Sequence, residues 1–207
     1  MSNLCHSPAA KQNRQPILEV LRQVLPATGT ALEIASGTGQ HVVWFAAHLP
    51  GWTWQPSDVN PAALPSIAGW VAQQALTNVR PPVQLDVMAE RWLADEAQAT
   101  PAQFDAIYCA NMLHISPWAT SAALMQGSAR HMARGGRLIT YGPYLEDEVA
   151  TAASNLSFDA SLRARNPDWG IRHRADLEQL AAQAGLRLAA RHAMPVNNLL
   201  LVWSHLN

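Results

Sequence analysis

Short apolar runs alternate along this chain with segments whose apolar positions recur at helical spacing. Thr30-Ala31-Leu32 reads as a buried strand, and 52–58, 83–87, 104–114 and 137–141 read as further strands. Ile17, Val20, Leu21 and Val24 share one face of a helix predicted over 14–25, with Pro16 near its first turn. Residues 40–47 and 61–76 read as helices, the latter with Ile67, Trp70 and Val71 at helical spacing, and 88–99 reads as a shorter helical piece. Ser116-Pro117 combines a capping residue with a first-turn proline, predicting a helix to about residue 133 that Gly135-Gly136 stop. A last helix is expected over 173–184, then two strands, about 186–194 and 198–205, as an antiparallel hairpin-like end. Residues 1–12 read as loosely held. The alternation predicts an α/β fold with a seven-stranded, mostly parallel sheet, an antiparallel last strand and helices on both faces. The 207 residues fit one domain.

The first strand enters its helix through Glu33-Ile34-Ala35-Ser36-Gly37-Thr38-Gly39. Gly37 and Gly39 permit a tight bend and close backbone approach. The following helix offers its free N–H groups to a ligand. A dinucleotide fingerprint would place a third glycine where Val42 stands, which argues against a nicotinamide-dependent oxidoreductase. Glu33 is a poor neighbour for phosphates but suits a cationic amine. The form E-x-A-x-G-x-G resembles the first motif of Rossmann-like S-adenosylmethionine-dependent methyltransferases. Asp58 lies 19 residues after Gly39, near the spacing of about 20 that sets a carboxylate on ribose hydroxyls. Asp86 and Val87 end the third predicted strand, where this fold commonly meets the adenine amino group. Asn111, on the fourth, is expected to offer its backbone carbonyl to the methionine amine. Taken singly, Glu33 reads equally as a structural partner, and Asp58 and Asp86 as turn residues. The resemblance makes Glu33, Ala35, Gly37, Gly39, Asp58, Asp86, Val87 and Asn111 the cofactor-binding candidates.

The resemblance spans nearly the whole chain. It is carried by Ser7-Pro8-Ala9-Ala10, Asn13-Arg14-x-Pro16-Ile17-Leu18, 32–41, Trp54-Gln55-Pro56-Ser57-Asp58, Asn111-Met112-Leu113-His114-Ile115-Ser116-Pro117-Trp118 and Tyr141-Gly142-Pro143-Tyr144. Ser154-Asn155, Phe158-Asp159, Trp169-Gly170-Ile171-Arg172 and Pro195-x-Asn197-Asn198-Leu199 continue it. In these motifs the chain is similar to a family of uncharacterised class I methyltransferases that includes the animal methyltransferase-like protein 26. The family implies S-adenosyl-L-methionine as cofactor and leaves the acceptor open.

Composition narrows the partners. Fourteen basic against 15 acidic residues, with no basic run, remove the usual electrostatic footprint of nucleic-acid binding. Cys5 and Cys109 form no disulfide framework, and Cys109 reads as a small core residue. The eight histidines show no paired ligand spacing, so no metal is expected. With no secretory pattern and no long apolar span, a soluble, cytoplasmic protein without membrane partners is expected.

On the acceptor side, His114 is the candidate base or orienter, with an ordinary pKa of about 6.5, and capping or space-filling is its structural reading. Tyr141, the second catalytic candidate, and Tyr144 could orient an acceptor or face a sulfonium, or simply pack. Arg14, Asn155 and Arg172 could bind a carboxylate, against ordinary ion pairing. Trp118 and Trp169 complete the substrate-side candidates. The long connection over 142–172 reads as a substrate-side cover, as a short shielding helix near 155–164, or as both. The fourth strand lacks the Asn/Asp-Pro-Pro-Tyr/Phe motif of base and glutamine methylation, which favours a small-molecule acceptor. A non-catalytic module that retains the cofactor pocket is the competing reading.

Overall fold

The computed structural model describes residues 4–93 and 103–206. Its helices are α1 (Pro8–Val24), α2 (Gln40–His48), α3 (Leu64–Gln73), α4 (Trp118–His131), α5 (Ala153–Arg165) and α6 (Arg174–Gln183). Its strands are β1 (Gly29–Ile34), β2 (Trp52–Asp58), β3 (Val83–Gln84), β4 (Phe104–Ala110), β5 (Met132–Gly142), β6 (Tyr144–Leu145), β7 (Arg172–His173), β8 (Leu186–Met194) and β9 (Asn198–His205).

Seven strands form one sheet in the order β3-β2-β1-β4-β5-β9-β8. Only β9 runs antiparallel to its neighbours, as expected for the last strand. Strands β2 and β4 flank β1 on opposite sides. This reversal of strand order opens a crevice beyond the carboxyl ends of β1 and β4. The strands divide their side chains by period 2. Ala31, Tyr108, Leu200 and Val202 face α1, α2 and α3, where Ile17, Leu21, Val42, Phe45 and Ile67 pack. Leu32, Ile107, Leu201 and Trp203 face α4 and α6, where Leu124, Met125, Leu177 and Ala181 pack. The α/β arrangement expected from the sequence, a seven-stranded and mostly parallel sheet with helices on both faces, is therefore present.

Several local expectations are corrected. Helix α1 starts at Pro8, because Ser7 Oγ accepts the Ala10 N–H at 3.2 Å and Pro8 fits the first turn. Pro16 is consequently inside the helix. The segment before α1 is held: the Cys5 N–H donates to Ser66 Oγ at 3.0 Å, Trp70 Nε1 donates to the Cys5 carbonyl at 3.0 Å, and the Ser7 N–H donates to Gln40 Oε1 at 2.5 Å. The third strand is only Val83–Gln84, so Asp86 and Val87 sit in the turn beyond it. Residues 88–93 form turns and bends instead of a helix, and the rest of the predicted piece lies outside the described residues.

Strand β4 ends at Ala110, because Asn111 turns the backbone at φ 59°. His114 is therefore in a single 3-10 turn, Leu113–Ile115. Ser116 does not cap α4: its hydroxyl donates back to the Met112 and Leu113 carbonyls at 3.0 and 3.3 Å. Strand β5 already begins at Met132 and runs through Gly135 and Gly136. The connection over 142–172 holds both α5 and β6, which pairs with β7.

Candidate functional site

The bend after β1 is stitched to the tip of β2. The Ser36 N–H donates to the Ser57 carbonyl at 2.8 Å, and the Ser57 hydroxyl donates to the Glu33 carbonyl at 2.7 Å. Ala35, Gly37 and Gly39 take positive φ of 55°, 56° and 86°. Asp58 is fixed by two backbone donors, Gly37 N–H at 2.8 Å and Asn60 N–H at 2.9 Å. The two glycines do different work. A Cβ at Gly37 would meet only the Ala35 carbonyl oxygen, at 3.9 Å, so its vacant side belongs to the crevice. A Cβ at Gly39 would strike Ile67 Cα at 2.8 Å, so this glycine lets α2 pack against α3.

A cavity of about 580 Å³ fills the crevice, within the usual size of small-molecule sites. Of the predicted cofactor residues, Ala35, Gly37, Asp58, Asp86, Val87 and Asn111 line it. Asp86 accepts the Met88 N–H at 2.9 Å. Gly39 and Glu33 are not in the wall. Glu33 is buried on β1 in register with Tyr108 of β4, and neither its Oε2 nor the Tyr108 hydroxyl has a hydrogen-bond partner among the described residues. Burial pushes the Glu33 carboxyl up to about 8, with Asp58 adding to the rise and a Ser36 hydrogen bond opposing it. Glu33 is therefore largely uncharged at neutral pH beneath the bend.

The wall also contains His41, from the first turn of α2, a residue that sequence reasoning gave no role. His41 Nε2 is 2.7 Å from Asn13 Oδ1 of α1, and its ring stacks on Phe45 at 5.4 Å. Burial, then Arg14, hold its pKa down at about 4. The available signal was a polar pair, Gln40-His41, opening an otherwise apolar helix.

A second chamber, about 450 Å³, adjoins the first; Ser7, Asn111 and Ile115 line both. His114, Tyr141 and Asn155 meet here, with Ser154 and Phe158 of α5 on the same wall. The 142–172 segment thus supplies part of the lining. Tyr141 Oη accepts from Asn198 Nδ2 at 3.0 Å. Burial raises its pKa, against hydrogen bonds from Asn13 and Asn198. The His114 ring packs edge-on to Phe158 at 5.5 Å, and burial, then Arg172, lower its pKa to about 4. It is a neutral imidazole at physiological pH.

Residues 5–205 match a family described as a protein of unknown function, DUF938. The chain belongs to the DUF938 family. The fold of this DUF938 chain is shared by solved methyltransferase structures at low identity. The S-adenosylmethionine-dependent methyltransferase SibL, in its apo form, superposes with a TM-score of 0.77 at 19% identity, over 96% of this chain and 56% of SibL. CalO1, a methyltransferase in calicheamicin biosynthesis in its SAH-bound form, gives 0.73 at 21%, over 96% and 54%. An O-methyltransferase family 2 protein from Planctomyces limnophilus, in complex with apigenin, gives 0.73 at 16%, over 93% and 62%. The DUF938 chain thus spans between half and two thirds of these proteins.

Five predicted substrate residues of the DUF938 chain stand outside both cavities. The Arg14 guanidinium lies over Trp44, 3.9 Å from the ring centroid. Arg172 donates from Nε to the Leu113 carbonyl at 2.9 Å, and from Nη2 to the Ser116 carbonyl and to the Asp168 carbonyl at 3.0 Å. It brackets the turn that carries His114. Trp118 is exposed at the start of α4, 5.5 Å from the Arg172 guanidinium, and Trp169 lies beneath Arg165 at 5.0 Å. Tyr144 lines a separate cavity of about 200 Å³ beside Glu146 and Arg191. Cys109 is buried, its thiol pushed up to about 12, consistent with a core residue. Among the described residues no three His, Cys, Asp or Glu gather as a metal site, and no helix is long and apolar enough to cross a membrane.

Proposed function

We propose that this protein is an S-adenosylmethionine-dependent methyltransferase acting on a small-molecule acceptor. One observation carries the reading: a crevice at the strand-order reversal, walled by the open face of Gly37 and the carboxylates of Asp58 and Asp86, adjoins a second chamber with which it shares Ser7, Asn111 and Ile115. The residues suit the cofactor. Two carboxylates are available for hydroxyl and amino donors, and the missing Gly37 side chain leaves room for close backbone approach. The methyltransferase names of the fold neighbours agree with this reading.

When bound, S-adenosylmethionine supplies a methyl group on a sulfonium, already a good leaving group. In this reading Asp58 takes the ribose hydroxyls, Asp86 and Val87 meet the adenine edge, and the Asn111 carbonyl receives the amine. His114 and Tyr141 orient the acceptor where the two cavities join. Neutral His114 would accept a hydrogen bond from an acceptor O–H or N–H and hold the proton that the acceptor loses. With an imidazole this weakly basic, alignment supplies more of the rate than proton removal.

Isothermal titration with S-adenosylmethionine and S-adenosylhomocysteine tests the first half. Binding is expected, and Asp58→Ala should weaken it about 10- to 100-fold, the value of hydrogen bonds to a charged group. No binding, or an unaffected Asp58→Ala protein, removes the reading. Radiolabelled methyl donor with fractionated cell metabolites tests the second half. Binding without transfer to any fraction selects the non-catalytic module.

A further inference from the structure

The two adjoining cavities differ in charge. The larger one carries Asp58 and Asp86 and lies above Glu33. Among the described residues, no Asp, Glu, Lys or Arg lines the smaller one. Its polar groups are carboxamides, hydroxyls and the His114 imidazole. Three charged side chains near these elements have other partners. Arg172 is spent on three backbone carbonyls, Arg14 is stacked on Trp44, and Glu146 is held by Arg174 and Arg191.

The carboxamides are also oriented. Asn155 commits its Nδ2 to the Asn197 carbonyl at 3.0 Å, and Asn198 commits its Nδ2 to Tyr141 Oη at 3.0 Å. No hydrogen bond within the described residues uses the Oδ1 of either side chain. The Tyr141 oxygen already accepts, so its O–H proton is available to donate. The His114 ring nitrogens likewise have no hydrogen-bond partner among the described residues, although only 6% of the residue is exposed. The chamber therefore presents the amide oxygens of Asn155 and Asn198, the hydroxyls of Tyr141, Ser7 and Ser154, the His114 imidazole and the carboxamides of Gln12, Asn13 and Asn111, with Phe158 and Ile115 as apolar surface.

A carboxylate or phosphate entering here would lose water and find no cation on the wall formed by the described residues. An ammonium would meet acceptors but no carboxylate on that wall. An uncharged molecule with hydroxyl or carboxamide groups satisfies both sets of groups without burying net charge. Resting on the methyltransferase reading for its place in the reaction, we infer that the 450 Å³ chamber is the acceptor site and selects neutral, hydroxyl- or carboxamide-bearing molecules over anions and amines.

Benzamide, benzyl alcohol, benzoate and benzylamine test this, because they share a ring and differ in charge. Each is titrated at neutral pH into isotopically labelled protein, with and without S-adenosylhomocysteine, while the side-chain amide signals of Asn155 and Asn198 are followed by NMR. Benzamide or benzyl alcohol should move those signals with at least about tenfold tighter binding than either charged probe. Ser154→Asp places an acid on the chamber wall in the first turn of α5, where it also suits the helix dipole. It should shift the preference at least about tenfold toward benzylamine and leave the fold intact.

Benzoate or benzylamine binding best to the wild type, probes moving other signals only, or no probe binding overturns the inference. So does an unchanged ranking in folded Ser154→Asp. The S-adenosylhomocysteine titration reads the other cavity, so loss of the cofactor reading and loss of acceptor selectivity register separately.

Discussion

Gly37 and Gly39 are two residues apart on one bend, yet alanine should affect them in different currencies. Both take positive φ, so alanine pays roughly 1–2 kcal/mol in backbone strain at either position. At Gly37 the new methyl contacts nothing closer than 3.9 Å, and strain is the whole stability cost. At Gly39 the methyl arrives 2.8 Å from Ile67 Cα and 3.3 Å from Ile67 Cβ. These atoms cannot swing away as a flexible side-chain end would, because they belong to the body of α3. Relief requires α2 and α3 to separate, an overpacking cost of about 1–3 kcal/mol. Gly39→Ala should therefore lose about 2–5 kcal/mol in total, and Gly37→Ala about 1–2. At this chain length each kcal/mol moves Tm by about 2–4 °C. Urea and thermal unfolding give the stability order, and titration with S-adenosylhomocysteine gives the binding order. Gly37→Ala should be the more stable variant and the weaker binder, since its methyl enters the cavity. Equal destabilisation of the two, or tight binding retained by Gly37→Ala, would refute the assignment of the two glycines.

Further perturbations follow from the buried polar groups. The folded state raises the Glu33 pKa from its ordinary 4.5 to about 8, so folding disfavours its ionised form and wild-type stability should fall as pH rises from about 4.5 through 8. Glu33→Gln removes that slope and should gain on wild type by up to about 4 kcal/mol over the interval, read from urea midpoints at pH 5 and pH 8; a pH-independent difference would contradict it. The lowered pKa values of His41 and His114, about 4, act in the opposite sense and are common to both proteins: stability is lost as pH falls from about 6.5 through 4, and His41→Gln should flatten part of that acid limb in urea melts. Thr140→Val strips the buried Trp203 Nε1–H of its acceptor at 3.1 Å and should cost about 1–3 kcal/mol, measured by chemical unfolding. Arg172→Lys cannot serve three carbonyls with the same planar fork; it should lose about 2–3 kcal/mol and raise amide exchange over 113–116.

The parts of the site that were legible in the sequence are local. The diglycine bend, the strand entering it and Asp58 at the next strand tip follow from spacing alone, and all three meet at the cavity. What needed coordinates were side chains whose partners are distant in sequence. Arg172 beside Trp169 looks like an anion ligand, and nothing in its neighbourhood reveals that Leu113, Ser116 and Asp168 supply the carbonyls that occupy it. Glu33 shares a motif with wall residues, but the β1–β4 register buries it against Tyr108. The His41–Asn13 contact joins α2 to α1 across 28 positions. The missed start of α1 was different, because Ser7-Pro8 carries the same signal that was accepted at Ser116-Pro117. There the serine hydroxyl turned backward to Met112 and Leu113, so one dipeptide gave opposite outcomes according to which carbonyls lay within reach.

Ser7 and Ala10 close one side of the larger cavity, and Ser7, Ala9, Gln12 and Asn13 close one side of the smaller. The leading stretch of α1 therefore behaves as a roof beam shared by two rooms. A graft that transplanted only the strands, the bend and their carboxylates, starting at Gly29, would carry the recognition groups but leave both rooms open to the weather. Any minimal version of this scaffold has to begin upstream of Ser7.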